Sequence, residues 1–179
     1  MDKKKVNDKE LFFKELNELI ENEKVQRLKE FPQHHGSNTL KHCIAVAKRS
    51  FALAEKFGWD IDEKELVRAA MLHDYYLYKI KEQGLSAYRH GTSHPGIAVR
   101  NAHKDFGLSE KEMKDIRSHM WPLTFRHPPR SKVAALLCLA DKDIAIREFA
   151  RPELQRAGRA VRKLKNRKQQ RKWSALTWR

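Results

Sequence analysis

Apolar residues recur along the chain at intervals of three and four, a spacing that predicts helices almost throughout. Leu11, Phe12, Leu16, Leu19 and Ile20 fall on one face of an N-terminal helix. It should end before Phe31-Pro32, because the residue ahead of a proline disfavours helical backbone. Leu40, Cys43, Ile44, Ala47, Phe51, Ala54 and Phe57 line a second helix, with Asn38 or Thr39 as cap and Gly58 as stop. Asp62 caps a third, whose inner face begins Leu66, Val67, Ala70. Pro95 suits the first turn of a fourth that runs to about Phe106. Ser109 to Glu112 has the spacing of a capping box and opens a short helix ending near Met120, where Trp121-Pro122 breaks it. A strongly apolar helix follows from Ser131 to about Glu148, and a basic one after Pro152. No stretch keeps the period-two alternation of a strand, so the expected class is all-α: a helical body over 1–148 and a C-terminal arm over 149–179.

Charge divides the chain in the same place. Of a formal net charge of +15, the stretch from Arg147 to Arg179 supplies +10, with 12 basic and 2 acidic residues. Such a cationic arm suits an anionic partner, nucleic acid among them, or simply a solvated helix. At 179 residues with 40% hydrophobic content the body can bury a core without staples. The longest apolar run, Val133 to Ala140, is too short to span a bilayer. The first ten residues mix both charge signs and lack the apolar centre of a signal peptide. Two cysteines, Cys43 and Cys138, make no disulfide framework, so a reducing, cytoplasmic setting is expected.

Polar residues interrupt the apolar faces at a few positions. Seven residues beyond Leu66 and Val67 lie His73 and Asp74; Asp141 falls on the face of Ala134, Leu137 and Ile144; His119 follows Ile116 by three. His42 flanks the polar stripe of Lys41, Lys48, Arg49 and Glu55 and can point into a crevice. Taken singly, each histidine reads as a satisfied core residue, and Asp141 as an ion-pair partner of Arg147 or Lys142. Together they would need separate compensation on separate helices, because a buried carboxylate without a cation is expensive. One or two divalent cations would compensate them all. Imidazoles and carboxylates without thiolate suit Fe, Mn, Co, Ni or Zn.

An isolated His42, the contiguous pair His73-Asp74 and the distant Asp141, each at the inner side of a helix, resemble the HD-domain metal-dependent phosphohydrolase superfamily over roughly residues 35–148. His94 in His-Pro-Gly-Ile-Ala and His119 in Ile-Arg-Ser-His-Met-Trp-Pro match the two further histidines of its binuclear members. The stretch from His90 to Asp141-Lys142 is also similar to uncharacterised stand-alone bacterial HD proteins. The resemblance implies an HD-domain helical bundle holding one or two divalent metal ions (Fe, Mn, Zn, Ni, Co or Mg). His42, His73, Asp74 and Asp141 would take the first, and His94 and His119 the second with Asp74 bridging. Met120 stands where members that cleave cyclic dinucleotides commonly carry a further histidine, and their Gly-Tyr-Pro signature is missing, which argues against that substrate.

The implied chemistry is hydrolysis of a nucleotide or other small phosphoester by a metal-activated water, with Asp74 central. Lys142, Arg126 and Arg130 are candidates to hold the substrate anion, His90 to pass a proton to the leaving oxygen, and Tyr75, Tyr76 and Tyr78 to wall the pocket. Two other readings are a di-iron oxygenase, and a nucleic-acid-binding protein with a structural metal. In the latter, Lys163, Lys165, Arg167, Lys168, Arg171 and Lys172 would meet phosphates beside Trp173 and Trp178.

Overall fold

The computed structural model describes residues 3–33 and 37–150, together with Arg156, Arg162 and Lys163. Among these the fold is all-α, and the one β feature is an isolated bridge between Pro32 and Asn38. Helix α1, Lys3–Glu21, stops at Asn22, whose side chain accepts from the Lys24 amide and opens α2, Glu23–Gln26. A 3-10 turn, Arg27–Glu30, then leads to Phe31. The expected single N-terminal helix is therefore two pieces, because Asn22 serves as a cap rather than as one more helical residue.

Helix α3, Thr39–Phe57, begins at Asn38, which accepts from Lys41 N, and closes at Gly58 with φ 64, a left-handed conformation that glycine adopts freely. Asp62 caps α4, Glu63–Leu72. This helix is the centre of the bundle. Leu66, Val67, Ala69, Ala70, Met71 and Leu72 are all buried, against α1, α3 and α6. Phe12 of α1 stacks on Phe51 of α3 with centroids 4.3 Å apart, closing the core above it. Burying a leucine or phenylalanine at this depth contributes about 1.5–3 kcal/mol.

Helix α5, Ala87–Phe106, starts eight residues before Pro95 instead of at it. Ser86 caps it by accepting from Arg89 N at 3.2 Å. The helical hydrogen bond that Pro95 cannot make is the one to the Gly91 carbonyl, and Ser93 and Thr92 hydroxyls donate to Arg89 and Tyr88 carbonyls nearby. Helix α6, Glu110–Ser118, carries the expected capping box between Ser109 and Glu112. A run of turns from His119 to Arg126, with a cis peptide at Trp121-Pro122, connects to the last helix. That helix, α7, covers 132–150 behind a Ser131 cap. Val133, Leu136, Leu137 and Ala140 turn its inner face to the core.

A candidate metal centre at the helix ends

His73 and Asp74 lie just past the last turn of α4, not on the helix face that periodicity implied. His73 is the C-cap, with φ −61 and ψ −31, so the chain keeps its helical course for another step and aims both side chains inward. His119 ends α6 in the same way, with φ −60 and ψ −28. His42 comes from the first turns of α3, His94 from the middle of α5 and Asp141 from α7. All six expected ligands converge. His42, His73, Asp74, His94 and His119 are buried, and Asp141 is nearly so.

The Asp74 carboxylate is the hub. Its Oδ2 lies 3.7 Å from His73 Nε2 and 3.9 Å from His42 Nε2, and its Oδ1 lies 3.2 Å from His94 Nε2 and 3.8 Å from His119 Nε2. Asp141 Oδ1 closes the first set, 3.1 Å from His42 Nε2 and 3.6 Å from His73 Nε2. Two groups of ligand atoms are thus compact enough to hold a metal ion: His42, His73 and Asp141, and His73, Asp74 and His119.

Hydrogen bonds on the far side of each ring fix which nitrogen faces inward. His73 Nδ1 meets Ala70 O at 2.8 Å, His94 Nδ1 meets His90 O at 2.9 Å, and His119 Nδ1 meets Ile116 O at 2.7 Å. A carbonyl only accepts, so each Nδ1 must carry a proton and each neutral ring presents its Nε2 lone pair to the centre. His42 does the same through a carboxylate, with Nδ1 3.0 Å from Glu148 Oε2. Glu148 was not singled out in the sequence, although it stands seven residues after Asp141 on the same face. Gln33 is a second addition: its Nε2 donates to Asp74 Oδ2 at 2.8 Å from a loop position that no periodicity marks.

This arrangement fits a cation. His94 Nε2 and His119 Nε2 lie 2.8 Å apart. Two lone pairs at that distance repel unless a proton or a metal ion sits between them. His73 Nε2 is buried with no hydrogen-bond partner. Burial, the neighbouring histidines His94 and His73 and only partly offsetting carboxylates push His119 down to about 3, so it stays neutral. Burial also works against charge on His42, but its bonds to Asp141 and Glu148 raise it to about 10. His73 is likewise raised despite burial, chiefly by the Asp74 charge. Asp74 and Asp141 are held low against burial, Asp74 first by His73, and Asp141 first by its bond to His42 and then by the nearby His73. Without metal, protons on His42 and His73 balance the two carboxylates; a divalent ion replaces them.

Above the ligands opens a cavity of about 690 Å³, lined also by Gln33, His90, Met120, Leu123 and Lys142. His90 stacks on His94 with centroids 4.6 Å apart, and its Nδ1 lies 2.9 Å from Tyr78 Oη. Lys142 Nζ reaches His119 O at 2.9 Å. Arg126 and Arg130 are not brought here; they line a separate concavity with Lys114, Arg117 and His127. Tyr75 also turns away, its Oη donating to Asp105 Oδ2 at 3.0 Å. Tyr76 is buried behind Asp74, its Oη receiving from Gln33 at 3.3 Å. Most of the basic arm, with Lys165 to Trp178, lies outside the described residues.

Fold and site together define a helical bundle with a histidine–aspartate centre able to hold divalent metal. The sequence model of the HD domain matches residues 39–146, more than half of the chain, so the protein belongs to the HD-domain family. No curated protein and no solved structure matches it. Proteins of this family are generally metal-dependent hydrolases.

Proposed function

We propose that this protein is a metal-dependent phosphohydrolase acting on a nucleotide or other small phosphoester, and that its centre takes two ions. The observation that carries this reading is the meeting of bare Nε2 atoms on a carboxylate whose two oxygens face different sets: Oδ2 faces His42 and His73, and Oδ1 faces His94 and His119. Divalent ions held there would supply an acidified water and draw negative charge from the phosphoryl group.

The chain's own residues do the rest. Asp74 joins the two sets, and Gln33 and Glu148 keep Asp74 and His42 in their orientations from behind. Lys142 fixes the carbonyl of His119, adding a positive charge at the edge of the cavity. His90 stands over His94 with Tyr78 on its Nδ1, a pair that can hand a proton to a leaving oxygen. Burial and the charge of Asp74 raise Tyr78, so its phenol keeps its proton near neutrality. A cytoplasmic location would keep the two buried thiols, Cys43 and Cys138, reduced.

The test is elemental analysis of the purified protein beside a panel of phosphoesters, with and without chelator. Expected are bound divalent metal, chelator-sensitive phosphate release, and loss of both in Asp74→Ala while the helical circular dichroism persists. Hydrolysis that survives chelation in Asp74→Ala would overturn the reading, as would oxygen consumption with no phosphate released.

A further inference from the structure

We propose that the substrate is a monophosphate ester whose organic half is apolar, rather than a nucleotide. This rests on the phosphohydrolase reading above and narrows it.

The cavity has the volume of sites that enclose a drug-sized molecule. Its floor is polar, formed by the ligand histidines and aspartates, and suits one phosphoryl group. Its walls are not: Ile80, Ala87, Met120, Pro122, Leu123 and Ala145 face the space above. Trp121 and Leu123, 42% and 39% exposed, extend apolar surface beside it towards solvent. A second or third phosphate, or a purine edge, would need cations or hydrogen-bonding groups in those walls, because a buried charge without a partner is costly.

Among the described lining residues such groups are few and already engaged. Lys142 is the one lysine or arginine, and its ammonium directs its protons to His119 O at 2.9 Å, Cys138 Sγ at 3.3 Å and Cys138 O at 3.4 Å. The Gln33 amide donates to Asp74, and His90 Nδ1 is met by Tyr78. Arg126 and Arg130, which would suit a phosphate chain, line the other concavity. What remains for the organic half is hydrocarbon contact. In the reaction, water oxygen bonds to phosphorus, the bond from phosphorus to the ester oxygen breaks, and the alcohol leaves carrying one of the water's protons.

Alkylphosphonates test this, since their carbon–phosphorus bond survives hydrolysis and leaves binding as the readout. Calorimetric titration of the metal-loaded protein with the series from methyl- to hexylphosphonate should show affinity rising about fourfold for each added methylene. Leu123→Asp, at a partly exposed wall position, should flatten that rise, with unchanged helical circular dichroism showing that the variant is folded. Hexyl phosphate should also be cleaved with higher kcat/KM than adenosine monophosphate. A flat series in the parent protein, or adenosine monophosphate bound more tightly than hexylphosphonate, overturns the proposal. If nucleotides are cleaved in a metal-dependent way while the series is flat, only this inference fails. If no phosphoester is cleaved and no phosphonate binds, the phosphohydrolase reading falls with it.

Discussion

Asp115, on the inner side of α6, is 3% exposed. Its Oδ1 accepts from Ser131 Oγ at 2.7 Å, while its Oδ2 and the Oε1 of neighbouring Glu65 are buried with no hydrogen-bond partner. Burial, together with the proximity of Glu65 and against the bond from Ser131, pushes Asp115 up to about 7. The contrast with Asp74 is instructive, since there His73, His94 and His42 hold the carboxylate low against burial. Because the folded protein favours the protonated acid, its contribution to stability is fully present below about pH 4. It is lost as pH rises to 7 and stays lost above. Asp115→Asn keeps an acceptor for Ser131 and adds a donor towards Glu65. Urea denaturation should show the variant and parent nearly equal at pH 4, with the variant more stable at pH 8 by on the order of 2 kcal/mol. A gap unchanged between the two pH values would contradict this. At this scale the candidate ligands His42, His73, Asp74, His119 and Asp141 were legible, because each interrupts or flanks an apolar face. His94 was legible only through the family pattern, since its helix gives no face that it breaks. Gln33 acts on Asp74 from a loop that no spacing marks, whereas Glu148, seven residues after Asp141 on the same face, carried a signal that was passed over.

Among the elements, α5 and the turns from His119 to Arg126 meet at Gly91. A Cβ built there would lie 2.7 Å from Leu123 Cδ2 and 3.4 Å from Met120 Cε, both at the tips of flexible side chains on the cavity wall. In Gly91→Ala the gain in helix propensity, about 1 kcal/mol, opposes the cost of moving those tips. Denaturation should therefore shift by about 1 kcal/mol or less. Hexylphosphonate binding should weaken severalfold, because the displaced wall is where its chain would lie. A large loss of stability with unchanged binding would show that Gly91 serves the bundle instead of the cavity. Caps and stops were the most legible features here: Asn38, Gly58, Asp62 and the Ser109–Glu112 box all act as their chemistry dictates. The errors came from reading punctuation too simply. Pro95 lies inside a helix that Ser86 starts, and Asn22 ends one that periodicity would continue. His73 was placed correctly for an incomplete reason. Periodicity tracks where Cβ points, and a helical C-cap residue preserves that direction after the helix proper has ended.

The whole molecule gathers its centre from five segments, the start of α3, the end of α4, the middle of α5, the end of α6 and α7. No helix among the described residues is long and apolar enough to cross a membrane. Ions bound by so many segments would act as a tie across the bundle, because a ligand that binds only the folded form stabilises it by mass action. At a hundredfold excess over its dissociation constant, metal should add about 2.7 kcal/mol. In a chain of this size that raises Tm by about 5–10 °C relative to chelated protein. Asp141→Ala should lower affinity and shrink that increment, and an unaltered increment would remove Asp141 from the ligand set.

Because the donors are spread from His42 to Asp141, with Glu148 braced behind His42, the order of synthesis matters. A nascent chain leaving the ribosome carries its imidazoles first and meets its last carboxylates only when α7 emerges. Products truncated ahead of that helix would keep His73, Asp74 and His119 but lack Asp141 and Glu148, so the set around His42 would be completed only once α7 has emerged.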